Sequence, residues 1–105
     1  MTQHILDALF TTIENRRGND ASTSWTAKLL REGTELIAQK VQEEAGEAVD
    51  EALAGNKEKL TAESADLLYH LLVLWADADI VPDDIWAELN RREGVSGIVE
   101  KKSRK

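Results

Sequence analysis

The sequence contains no cysteine, which removes disulfide scaffolds, thiol catalysis and thiolate metal sites together. One proline and 6 glycines in 105 residues are too few for a collagen-like or low-complexity chain. The longest unbroken apolar run, Leu71 to Ala76, falls far short of a membrane span. The start, Met1 to Arg17, sets Asp7 among spread-out apolar residues and is unlike a signal peptide. A soluble, cytoplasmic protein is expected. Any metal chemistry must come from carboxylates and the two histidines, His4 and His70.

Hydrophobic residues make up 42% of the chain and charged residues 31%, a balance that allows a packed core. The length suits one domain, and a domain of this size buries roughly 60 to 70% of its unfolded surface, so a second copy would add useful stability. The net charge of -7 argues against non-specific binding to nucleic acid. That charge is unevenly placed. From Arg91 onward six basic residues (Arg91, Arg92, Lys101, Lys102, Arg104, Lys105) face only Glu93 and Glu100, so this tail is +4 and the remainder -11. An acidic body with a basic tail suits a ligand carrying phosphates and metal better than bare nucleic acid, the plain alternative being a solvated tail.

Ile5, Leu6, Leu9, Phe10 and Ile13 recur at helical spacing, which predicts an amphipathic helix from Thr2 to about Arg16. Turn-forming residues from Gly18 to Ser24 interrupt it and feed a short helix from Trp25 to about Arg31 that ends at Gly33. Thr34 is expected to cap a long helix with an apolar stripe (Ile37, Ala38, Val41, Ala45, Ala48, Val49, Ala52, Leu53), closed by Gly55 and Asn56. Another should run from Lys57 or Thr61 to Asp79, and Pro82, Asp83 and Asp84 mark the first turn of a last one. After Arg92 the pattern lapses. Gly94, Ser96 and Gly97 make the tail a poor helix with scope for motion. The expected fold is all-α, with four to five helices: a single domain over residues 1–92 and a basic tail over 93–105.

The two long helices carry the chemistry. On the first, Lys40, Glu44, Glu47 and Glu51 line one flank of the apolar stripe, with Glu43 a step outward; Glu44 and Glu47 are three residues apart and share a face. An isolated pair of this kind is usually a solvated acidic face. The second helix is apolar nearly all round (Leu67, Leu68, Leu71, Leu72, Val73, Leu74, Trp75), and against that background Glu63, Asp66, His70 and Asp77 form a narrow polar stripe. Carboxylates on a largely buried helix cost several kcal/mol each unless protonated, paired or metal-bound. If the helices pack antiparallel, Glu44, Glu47, Glu63 and Asp66 converge with only Lys40 as an obvious cation. Four oxygen donors without a thiolate describe a site for a hard divalent ion, magnesium first and manganese as a substitute. A di-iron site would need Glu-x-x-His, whereas Asp66 stands three residues after Glu63. His70 is read as a hydrogen-bonded structural histidine outside the metal shell.

The run from Lys40 through Glu43-Glu44-Ala45-Gly46-Glu47, followed by Glu63-Ser64-Ala65-Asp66-Leu67-Leu68-Tyr69-His70, closely resembles the phosphoribosyl-ATP pyrophosphatases of histidine biosynthesis. These are all-α nucleoside triphosphate pyrophosphohydrolases that carry ExxE on one helix and ExxD on the next. The resemblance extends to Ser24-Trp25-Thr26-Ala27-Lys28-Leu29-Leu30, to Gly33 and to Arg91-Arg92-Glu93-Gly94-Val95-Ser96-Gly97. It implies magnesium-dependent hydrolysis of phosphoribosyl-ATP between its α and β phosphates, giving phosphoribosyl-AMP and pyrophosphate. It also implies a homodimer with residues of both chains near each active site. Metal held by Glu44, Glu47, Glu63 and Asp66 would neutralise the polyphosphate and acidify a bound water. Glu43 is the candidate to hold or deprotonate that water. Lys28, Arg31, Lys40, Arg91 and Arg92 are candidate phosphate contacts.

Two other readings compete. A house-cleaning pyrophosphatase would keep the chemistry and act on deoxynucleoside triphosphates. A non-catalytic helical adaptor would dimerise through Leu67 to Trp75, yet it has no need for both acidic motifs. Independently of the resemblance, the apolar girth of the second long helix exceeds what one neighbouring helix can cover, and a second copy is the simplest shield.

Overall fold

A computed structural model describes residues 4–104. The expected start at Thr2 and the last basic residue, Lys105, lie outside them. Among the described residues there are six helices and no strand: α1 (Ile5–Asn15), α2 (Trp25–Glu32), α3 (Thr34–Leu53), α4 (Lys57–Asp77), α5 (Pro82–Arg92) and α6 (Gly97–Ser103). The all-α expectation holds.

The helix boundaries follow from local chemistry. Ser24 Oγ accepts from the Ala27 amide at 3.1 Å and starts α2 at Trp25. Gly33, at φ 95°, both ends α2 and begins α3, a backbone conformation that favours glycine. Thr34 therefore does not cap α3, as the sequence suggested; it is already helical, and its hydroxyl donates to Asp77 Oδ2 at 2.5 Å, tying the start of α3 to the end of α4. Asn56 accepts from the Lys59 amide at 3.0 Å and fixes the start of α4 at Lys57. The helix ends at Asp77, short of Asp79, which takes a positive φ of 60° in the following turn. The tail also departs from expectation. Gly94 turns the chain at φ 78°, and Ser96 Oγ accepts from the Ile98 and Val99 amides at 3.2 and 3.4 Å, so a new helix, α6, begins at Gly97.

The principal packing is α3 on α4, followed by α1 on α4, α2 on α3, α2 on α4 and α1 on α5. The core is Phe10 and Ile13 of α1, Leu29 of α2, Ile37 of α3, and Leu72, Val73 and Ala76 of α4. Each fully buried Leu, Ile or Val contributes about 1.5–3 kcal/mol. This core surrounds the first part of α3 and the second half of α4. Elsewhere on the pair apolar side chains have little cover: Val49 is 57% exposed, Leu53 83% and Leu68 43%. The girth of α4 is thus only partly enclosed by the other helices of the chain. No helix among the described residues is long and apolar enough to cross a membrane.

Candidate functional site

The three-residue turn between α3 and α4 brings acidic residues of both helices together. Glu44 of α3 and Glu63 and Asp66 of α4 each offer an oxygen within 4.8 Å of the other two. Glu44 Oε2 and Glu63 Oε2 are buried without a hydrogen-bond partner. A buried acceptor left unpaired is costly, and two of them converging favour a cation between them. Glu47, one turn beyond Glu44, stands outside this triplet but touches it. Its carboxyl is pushed above the ordinary range by a hydrogen bond with Glu63 and by the Glu63 charge, a shift that its bond to Glu44 partly offsets. An all-oxygen, all-carboxylate donor set of this kind fits a hard divalent ion.

Glu43 sits on the outer side of α3. It accepts from Lys40 Nζ at 3.2 Å and from Gln39 Nε2 at 3.1 Å, and these two bonds, Lys40 first, hold its carboxyl below the ordinary range. It therefore remains an ionised acceptor. Lys40 and Lys28 both place their ammonium groups 5.8 Å from the centre of the Trp25 ring, within cation–π range. The candidate phosphate ligands of α2 and α3 thus meet at one aromatic side chain. The other basic candidates are held elsewhere. Arg31 pairs with Glu32 at 3.2 Å and lines a groove with Arg17 and Gly18. Arg91 and Arg92 both grip Glu88 of α5, at 2.7 and 2.8 Å.

Sequence reasoning missed the link between Trp25 and the acidic helix. The Trp25 indole donates to His70 Nε2 at 3.2 Å, and His70 Nδ1 donates to the Asp66 carbonyl at 2.9 Å. His70 is buried, with both ring nitrogens engaged, as a structural histidine should be. The hydroxyls of Thr26 and Tyr69, 2.5 Å apart, make a second tie between α2 and α4. The signal was the Ser24 cap, which sets Trp25 at the first turn of α2, together with His70 one turn beyond Asp66.

Comparison with known proteins decides the family. The profile of the phosphoribosyl-ATP pyrophosphohydrolase family matches residues 6–93. The chain belongs to this family. It is 56% identical over 101 residues to a phosphoribosyl-ATP pyrophosphatase of Azospirillum brasilense, covering 96% of this chain and 91% of that one. It is 57% identical over 100 residues to that of Paramagnetospirillum magneticum, with 95% and 92% covered. With that of Gluconobacter oxydans it shares 52% over 100 residues, 95% of this chain and 75% of the relative. Glu44, Glu47, Glu63, Asp66 and the Trp25–His70 link all fall within the matched span.

Proposed function

We infer that the protein hydrolyses phosphoribosyl-ATP to phosphoribosyl-AMP and pyrophosphate, as a cytoplasmic step of histidine biosynthesis that depends on magnesium, with manganese as a substitute. The observation that carries this reading is the carboxylate convergence of α3 and α4 in a chain of this family. Glu44, Glu47, Glu63 and Asp66 would hold the metal. When bound, it supplies charge neutralisation of the polyphosphate, polarisation of phosphorus and a more acidic water.

The chain's own residues supply the rest. Glu43, kept ionised by Lys40 and Gln39, accepts a hydrogen bond from the attacking water and aligns it. As the water oxygen bonds to the α phosphorus, the bond from that phosphorus to the α–β bridging oxygen breaks; the bridging oxygen departs with pyrophosphate, and the proton lost by the water passes to the Glu43 carboxylate. Lys40 and Lys28 supply positive charge beside the cluster, and the His70 bond to the Asp66 backbone holds that turn of α4 in place. Arg31, Arg91 and Arg92 are the remaining phosphate-binding candidates.

The architecture that goes with this reading is one domain over residues 1–92 with the basic tail 93–105. Its two long helices run antiparallel and are completed as a bundle in a homodimer. The ligand is a small nucleotide; nucleic acid and membrane are not partners. The test is product analysis with phosphoribosyl-ATP. Phosphoribosyl-AMP and pyrophosphate should form with magnesium, cease with EDTA and return when magnesium is restored. Absence of both products with magnesium present would sink the reading.

A further inference from the structure

Between α2 and α3 lies an open groove of about 380 Å³, lined by Lys28 and Glu32 of α2 and by Glu35, Leu36 and Gln39 of α3. It continues the carboxylate site along α3. Residues four apart on a helix stand one above the other, so Leu36, Lys40 and Glu44 form one ridge and Glu35, Gln39 and Glu43 the next. The second ridge is tied by the Gln39 bond to Glu43 at 3.1 Å. At 1.5 Å per residue, Glu35 stands about 12 Å along α3 from Glu43. Three kinds of side chain succeed one another over that distance. The carboxylates come first, then Lys40 and Lys28 at the Trp25 ring, then the groove, with the partly buried Leu36 and the carboxylates of Glu32 and Glu35 in its lining.

That order matches the order of chemical groups in phosphoribosyl-ATP. Beyond the polyphosphate come a ribose and a purine, and only then the second ribose, the part that ATP lacks. We propose that the α2–α3 groove binds this second ribose, and that Glu35 selects for it by accepting hydrogen bonds from two of its neighbouring hydroxyls. An ionised carboxylate is an acceptor with two oxygens, and dinucleotide-binding folds use the same group to hold a ribose hydroxyl. Of the two carboxylates in the lining, Glu32 is already held by Arg31 at 3.2 Å. Among the described residues no hydrogen bond or ion pair engages the Glu35 carboxylate. Leu36 gives the sugar an apolar surface, and Lys28 on the α2 side offsets the charge of the phosphate that this ribose carries. A nucleoside triphosphate without the second ribose does not reach Glu35.

The inference rests on the phosphoribosyl-ATP reading above. Glu35 is exposed, so Glu35→Ala and Glu35→Gln leave the core untouched. Glu35→Ala should raise KM for phosphoribosyl-ATP roughly tenfold or more, the worth of a hydrogen bond to a charged group. Its kcat should stay near wild type, because the lost contact is remote from the reacting phosphorus and serves ground state and transition state alike. Glu35→Gln, which keeps one acceptor, should fall between. Charge alone predicts the opposite sign, since removing a carboxylate beside a polyanion favours binding. An unchanged or lowered KM in Glu35→Ala overturns the proposal. Calorimetric titration with phosphoribosyl-AMP and with AMP, both with magnesium, gives a readout without turnover. Glu35→Ala should weaken binding of phosphoribosyl-AMP by the same factor and bind AMP as wild type does. Equal losses for the two ligands, or none for either, overturn it. Wild type that prefers phosphoribosyl-AMP through Glu35 yet leaves phosphoribosyl-ATP intact would remove the proposed activity and leave the ribose groove standing.

Discussion

Trp25 and His70, 45 residues apart, are joined by a hydrogen bond from the indole N–H to Nε2 at 3.2 Å. An indole nitrogen can only donate, so His70 must accept there and donate through Nδ1 to the Asp66 carbonyl. One bond thereby sets the tautomer of a buried histidine and couples α2 to the acidic turn of α4.

Replacing Trp25 with Phe keeps an aromatic ring for Lys28 and Lys40 and removes the indole donor together with part of the ring. His70 Nε2 is then left without its partner in a buried position, which should cost about 1–3 kcal/mol. For a domain of this size that corresponds to a fall in Tm of roughly 4–8 °C per kcal/mol. Calorimetry of Trp25→Phe beside wild type measures it; an unchanged Tm would mean the bond contributes nothing.

The carboxylates should act as one set. Glu44→Gln, Glu47→Gln, Glu63→Gln and Asp66→Asn should each lower kcat by orders of magnitude while the fold survives. Like charges held close repel when no cation is present, so at least one of these variants should melt no lower than wild type in EDTA. Glu63→Gln is the first choice, since Glu63 meets Glu44, Asp66 and Glu47. Near wild-type turnover in all four would show the site to be misplaced.

Much of this arrangement was legible because it depends on spacing along single helices. Glu44 and Glu47, like Glu63 and Asp66, fall on one face by helical periodicity alone, and a turn at Gly55 and Asn56 brings the two faces together. What escaped the sequence depends on competition between neighbouring residues or on distant partners. Thr34 is a good capping residue, but Gly33 beside it takes the positive φ that the junction requires, and Asp77 captures the hydroxyl. In the tail, two glycines obscured a helix that a single serine cap restores. The bond between Trp25 and His70 spans 45 residues; the Ser24 cap and the Asp66–His70 spacing place each end locally, and only the packing of α2 on α4 joins them.

Glu88 gives the protein an acid-sensitive clasp. Hydrogen bonds from Arg91 and then Arg92 hold its carboxyl well below the ordinary 4.5, at about 2. Between these values the unfolded chain binds the proton more readily than the native one, so the clasp stabilises the fold above pH 4.5 and is lost as the pH falls toward 2. Glu88→Gln should therefore lower Tm at pH 6 and make no difference near pH 2. A pH series of thermal melts checks the sign, and a difference that grows on acidification would contradict it.

Gly46 lies inside α3 with nothing within 4 Å of where a Cβ would stand, and its φ is not in the left-handed region. Glycine in a helix interior costs roughly 0.5–1 kcal/mol relative to alanine through backbone entropy. Gly46→Ala should raise stability by about that amount. Urea unfolding at constant m-value measures it, and a loss of stability would mean that something outside the protomer approaches this face closely.

The last expectation concerns assembly. Val49, Leu53 and Leu68 expose apolar surface on the two longest helices. Two such hairpins brought face to face would cover each other by one self-complementary patch, as a two-fold interface requires. At roughly 25 cal/mol per Å², an interface of about 2,000 Å² supplies gross driving force well above the cost of association. The unfolding midpoint should therefore rise with protein concentration, since folding and dimerisation are then one equilibrium. Leu53→Lys or Leu68→Lys should lower the midpoint at micromolar concentration far more than an ordinary surface change of about 0.5 kcal/mol. Sedimentation equilibrium showing a folded, active monomer of 11.7 kDa would sink the dimer, and the exposed apolar residues of the α3–α4 pair would then need a different partner.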